Sequence, residues 1–229
     1  MRTLSQLQDH VIRCSHCPRL VAHRERIARE KVKRYREWDY WGKPVPGFGD
    51  PQARLLIIGL APAAHGGNRT GRVFTGDRSG DWLYGALYEA GFASQPTSVH
   101  LDDGLELHDC YITAAVHCAP PDNKPLPEEF AACRPYLLQE LALLAQVRVV
   151  MALGQIAFGA YLTARRELGY SVPSPAPRFG HGLAYALDDV TLLGSYHPSQ
   201  QNTFTGRLTQ EMFSSIFQHA RALLDQATG

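Results

Sequence analysis

The 229-residue sequence contains no apolar run near the roughly 20 residues that cross a bilayer. No apolar h-region follows Met1, so no signal peptide is expected, and the expected compartment is cytosolic and reducing. No internal repeat or low-complexity segment is present, which excludes solenoids and disordered linkers. Net charge is nearly absent, at +1, so total charge singles out no polyanionic partner. The charged fraction of 20% and hydrophobic fraction of 45% are those of an ordinary globular chain. A chain of this length buries a core without disulfide staples, and one domain spanning 1–229 is expected. Cysteine is sparse, at five. In a reducing compartment such cysteines are metal ligands or buried thiols rather than disulfides.

What charge there is lies unevenly. Nine basic residues stand between Arg13 and Arg36 against two acids, so that stretch carries +7 and the rest of the chain −6. Such a stripe attracts phosphate whatever the total charge, although a solvated helix face explains a charge run equally well.

Strand-like apolar runs cover 54–59, 111–116, 147–154 and 191–196, and helical patterns alternate with them. Leu4, Leu7, Val11 and Ile12 open a first helix, and Ser79 is placed to cap another. Pro135 is expected to kink or restart the helix that runs to about residue 145. The alternation predicts a three-layer α/β sandwich around a mostly parallel sheet. In such folds function gathers in the loops after the strands, here 61–80, 117–127 and 197–206.

The first loop holds Gly66 and Gly71 at P-loop spacing, but Arg72 and Val73 stand where lysine and Ser/Thr would be needed. No G-x-G-x-x-G follows the strand, so a dinucleotide site is excluded too. What remains is a closely approachable backbone with one aromatic, Phe74, and one carboxylate, Asp77. Taken singly, these two read as core and cap residues. In the last loop His197 follows a buried strand and points into the crevice above the sheet, where it can donate to developing negative charge. Pro198 sets the exit direction, and Thr203 or Thr205 is placed to cap the next helix. Cys14 and Cys17 form one C-x2-C pair, Cys118 and Cys133 follow a hundred residues later, and Cys110 shares a face with core residues. This pattern indicates four thiolates on one metal site and leaves the metal open, because zinc ribbons carry two such pairs and ferredoxin spacings differ.

Together, three features resemble the iron–sulfur uracil-DNA glycosylases of the family 5 branch. They are Gly59-Leu60-Ala61-Pro62-Ala63 with Asn68 to Asp77 downstream, His197-Pro198-Ser199-Gln200-Gln201-Asn202, and the set Cys14, Cys17, Cys118 and Cys133. The resemblance runs from about Cys14 to Arg207. It implies an α/β/α sandwich with a four-stranded parallel sheet, a 4Fe–4S cluster on those four cysteines, and removal of uracil and other deaminated bases from DNA. A water-activating residue usual two places after the first glycine is replaced by Ala61, and the resemblance transfers that duty to Asp77. It makes Phe74 the stacking face for a flipped base and Asn123 its reader, with Gly59 and Ala61 lining the pocket. His197 would stabilise the departing base. Arg69, Arg72, Lys124, Ser199, Gln200, Gln201, Asn202 and Arg207 would contact DNA, with 200–203 filling the vacated stack. A monomer in the cytoplasm, associated with the nucleoid, is implied. The rival reading is a non-catalytic iron–sulfur or zinc protein that binds nucleic acid, and a nucleotide-dependent phosphotransferase is the third.

Overall fold

The structure is a computed structural model that describes residues 3–226. Residues 1, 2 and 227–229 of the expected domain lie outside the described residues. In chain order the elements are α1 (Leu4–Ile12), α2 (Pro18–Glu30), β1 (Phe48–Gly49), β2 (Leu55–Gly59), α3 (Gly67–Thr70), α4 (Arg78–Glu89), β3 (Cys110–Ala114), α5 (Pro127–Leu143), β4 (Val149–Leu153), α6 (Gln155–Glu167), β5 (Ala184–Ala186), β6 (Thr191–Ser195), α7 (Gln200–Phe204) and α8 (Gln210–Gln226). Among the described residues no helix is long and apolar enough to cross a membrane.

The sheet has the order β1-β3-β2-β4-β6-β5. The four inner strands are parallel, as expected, but the sheet is a six-stranded mixed one. Antiparallel β1 and β5 flank it. These edge strands have two and three residues, too short for any periodicity to register. The inner strands β2, β3 and β4 are buried throughout, which is why their sequences are continuous apolar runs rather than alternations.

Alternate residues of each strand point to two separate cores. Leu55, Ile57, Ile112 and Met151 pack beneath Leu83 and Leu87 of α4 and Phe213, Phe217 and Leu224 of α8. Leu56, Ile58, Val150 and Ala152 pack beneath Leu137 of α5 and Phe158, Tyr161 and Leu162 of α6. The helix after β2 therefore covers one face and the helix after β4 the other, although the strands are neighbours. Their carboxyl ends diverge there and leave the crevice in which such sheets bind ligands.

Helix boundaries follow local chemistry, with three corrections. Pro18 and Pro127 occupy first turns, where a missing N–H costs nothing. Asp77, not Ser79, caps α4: its side chain accepts from the Gly80 N–H at 3.0 Å. Pro135 does not break α5, which runs unbroken from Pro127 to Leu143 with Pro135 on its exposed side. Neither Thr203 nor Thr205 starts a helix. Ser199 caps α7 and Thr209 Oγ1 accepts from the Met212 N–H at 3.2 Å.

Candidate active site

Gly59 ends β2, and the Phe74 ring lies directly against it: a Cβ there would stand 2.8 Å from two ring carbons. Only glycine lets the aromatic sit flat over the strand end. Phe74 itself has φ +51°, a strained conformation for a bulky side chain and one that clusters at functional sites. The His197 ring lies 5.7 Å from Phe74, centroid to centroid, with 32° between the planes. His197 follows β6, and its Cβ borders Gly154 at the end of β4. The β2–β4 crevice thus carries Phe74 and His197 side by side. Burial pulls the His197 imidazole down to about 4, so it is neutral at physiological pH.

Asp77 is half-buried beside this pair. Desolvation raises its pKa, opposed by the Gly80 and Ser79 amides. One carboxylate oxygen caps α4, and the other lies over the bare Cα of Gly66, where a Cβ would collide with it. The glycine of the P-loop-like spacing therefore makes room for a carboxylate, not for a phosphate. Ser79 Oγ donates to the Pro198 carbonyl at 3.1 Å, tying the Asp77 turn to the His197 loop. Asn202 Nδ2 donates to the His197 carbonyl at 2.9 Å, and its N–H meets Ser199 Oγ at 3.4 Å, so both residues brace that loop.

Two residues expected at DNA turn inward. Arg72 is 2% exposed and binds Asp103 at 2.7 Å, Ser98 Oγ at 3.0 Å and the Leu101 carbonyl. Arg69 is buried between Tyr35 and Trp38, 3.8 and 4.1 Å from their ring centres. It donates to the carbonyls of His65 at 2.8 Å and Gly76 at 2.7 Å. Neither guanidinium is free for phosphate, since both hold the loop around Phe74 and Asp77. Lys124, Gln200, Gln201 and Arg207 are exposed. Asn123 is also exposed, in a left-handed turn on the loop after β3. That loop is tethered by Arg19, which donates to the Lys124 carbonyl and pairs twice with buried Glu129. A residue missed from the sequence is Phe204, 66% exposed at the end of α7 with the Arg78 guanidinium 4.5 Å over its ring. A lone aromatic in an otherwise polar loop is the signal that marks it.

The four cysteines converge. Cys14, Cys17, Cys118 and Cys133 line one cavity with His16, Arg24, His117 and Tyr136, while Cys110 is buried in the sheet. Ala61 packs against this corner. Among the described residues no three His, Cys, Asp or Glu side chains gather closely enough to hold a single metal ion, and the four cysteines share the lining of one cavity. Burial pushes Cys118 up to about 11 and raises Cys17 and Cys133. Arg24 Nε and His117 Nε2 are buried there with no hydrogen-bond partner. Unmatched nitrogens and four thiols around one cavity suit a group held there through sulfur.

The sequence matches the uracil DNA glycosylase superfamily over residues 46–221. It is 53% identical to the Type-5 uracil-DNA glycosylase of Thermus thermophilus, over 92% of this chain and 93% of that protein. It is 49% identical to the Type-5 uracil-DNA glycosylase of Mycobacterium tuberculosis, over 96% of this chain and 82% of that one. A Type-4 uracil-DNA glycosylase of Pyrobaculum aerophilum is 31% identical, over 86% of this chain and 83% of its own.

Proposed function

The chain belongs to the uracil-DNA glycosylase superfamily and is a DNA-repair hydrolase acting on uracil; from that premise we propose how its residues divide the work. The reading rests on the Phe74–His197 pair in the β2–β4 crevice, with Asp77 clipped beside it. A base inside a duplex is out of reach, so the nucleotide is flipped out at a cost of a few kcal/mol. The flipped base stacks on Phe74. Bond cleavage leaves cationic character on the sugar and negative charge on the leaving base. His197, being neutral, donates an N–H to that anion without needing to lose its proton, a contribution of about 10²–10³ in rate. Asp77 offers a carboxylate to the sugar cation and orients water. Asn123, exposed on the loop after β3, reads the base edge. Uracil is the primary substrate, and other deaminated bases with the same O2 acceptor are further ones.

DNA contacts fall to exposed Lys124, Gln200, Gln201 and Arg207, joined by Arg78 and Phe204, whose ring suits the vacated stack better than the polar residues before it. Cys14, Cys17, Cys118 and Cys133 hold a 4Fe–4S cluster. What supports this reading is that all four thiols line one cavity. When bound, it would supply a cross-link between the N-terminal segment, the loop after β3 and helix α5. The chain acts as a cytoplasmic, nucleoid-associated monomer.

The test is alkaline strand breakage of a uracil-containing oligonucleotide across a pH series. Activity rises with pH as Asp77 ionises, at a pH above the ordinary aspartate range, while His197 protonates only near 4. Asp77→Asn removes the limb that Asp77 ionisation produces and lowers the plateau about 10²–10⁴-fold. Binding of the oligonucleotide without any breakage would return the chain to the non-catalytic reading.

A further inference from the structure

One buried residue touches both the four-cysteine corner and the loop that carries Asp77. Arg24, on α2, is 5% exposed. Its Nη1 donates to Cys118 Sγ at 3.0 Å, and Nη1 and Nη2 each reach the Cys14 carbonyl at 3.3 Å. Its own carbonyl accepts from Asn68 Nδ2 at 3.2 Å. Asn68 is fully buried in α3, and its Oδ1 has no partner, so this amide is held only through its nitrogen. From α3 two further bonds reach the turn: Thr70 Oγ1 donates to the Thr75 carbonyl at 3.2 Å and Arg69 Nη2 to the Gly76 carbonyl at 2.7 Å. Those carbonyls sit between Phe74 and Asp77. An unbroken set of buried contacts therefore runs from a cysteine sulfur to the turn that aims the carboxylate.

The charge balance gives this path a direction. A buried guanidinium needs a counter-ion. The nearest carboxylate, Glu25, stands 3.9 Å away with its side chain 49% exposed, a weak partner. Its other acidic partner is the Cys118 sulfur, which is a thiolate when it ligates metal.

We propose that Arg24 is a positioning residue that couples occupancy of the four-cysteine site to the order of the loop carrying Phe74 and Asp77. The inference rests on reading that site as an iron–sulfur centre. With the site filled, thiolate charge holds the guanidinium, which fixes α2 against Asn68. With it empty, the guanidinium turns toward water, α2 shifts, and Asn68 loses its acceptor. The centre then serves the catalytic turn as well as the N-terminal corner.

Hydrogen exchange on the whole chain tests this, with iron and acid-labile sulfide measured on every sample. The anaerobically purified protein is compared with its chelator-stripped form and with Arg24→Met. In both of the latter, amides of residues 68–71 and 76–81 should exchange roughly tenfold faster, the protection one hydrogen bond to a charged group confers, while β4 and α6 stay unchanged. Arg24→Met should keep its iron, but its reduction potential should move to more negative values, because a donor to a ligand sulfur is lost. Asn68→Ala cuts the path at its other end and should loosen the same amides without moving the potential. That variant and the loaded-against-stripped comparison decide the matter if Arg24→Met does not fold. Iron-loaded protein whose loop stays protected on stripping, or in Asn68→Ala, overturns the coupling alone. Protein that never carries iron overturns the centre and the coupling with it.

Discussion

The sandwich and its N-terminal corner are held by different forces. On either side of the sheet, branched aliphatic and aromatic residues fill two cores whose polar backbone is already paired in strands and helices. The corner is smaller. It buries Leu7, Val11, Leu20 and Val116 around thiols, a guanidinium and an imidazole with unpaired nitrogens. Apolar burial at roughly 25 cal/mol per Å² stabilises the first region by itself. The second removes polar groups from water without pairing all of them, which opposes folding until something central satisfies them. The active site straddles the boundary. Its strand ends belong to the sandwich, while Ala61 and the Asn68 helix lean on the corner.

The largest expected effect comes from removing one thiol. Cys118→Ser should lose its iron and become open to proteolysis between α1 and α2, while amides of β2 and β4 keep their protection. Simultaneous loss of both regions would break the distinction. Next come paired core truncations read by denaturant unfolding. Ile57→Ala should cost about 2–5 kcal/mol whether or not iron is present. Val11→Ala should matter in the loaded protein and be nearly silent after chelation.

Glu140 sharpens the comparison from the sandwich side. It is 1% exposed, it accepts from the Thr113 hydroxyl at 2.6 Å, and burial pushes its carboxyl up to about 8. The folded chain thus keeps a proton that the unfolded chain loses near 4.5. Its contribution to stability is whole below about 4.5 and disappears as pH rises to about 8. Melting temperature measured from pH 5 to 9 should fall in the natural chain and stay flatter in Glu140→Gln, with a gain on the order of 2 kcal/mol at the alkaline end. The smallest effect belongs to the exposed Arg134–Glu167 pair joining α5 to α6 at 2.5 Å. Arg134→Ala should change stability by less than about 1 kcal/mol, and salt should erase the difference.

Much of this was legible in the one-dimensional order. The four inner strands, the glycine-rich loop and the histidine placed after β6 follow from apolar runs and turn residues, which act over a few neighbours. Gly59 and Gly66 could be read only as permissive backbone. The structure shows what each makes room for: a ring in one case, a carboxylate in the other. The partners of Arg69 and Arg72 lie as far off as Trp38 and Asp103, so their sequence motif looked like a DNA contact while their guanidinium groups face inward. Asp77 capping α4, the six-stranded width of the sheet and the meeting of Cys14 and Cys17 with Cys118 and Cys133 are likewise products of folding. Sequence alone determined which chemical groups are available and which segments are strands, because periodicity is a property of neighbours. Only the tertiary structure decided which groups meet and which way each charge points, because those choices depend on partners as much as a hundred residues away.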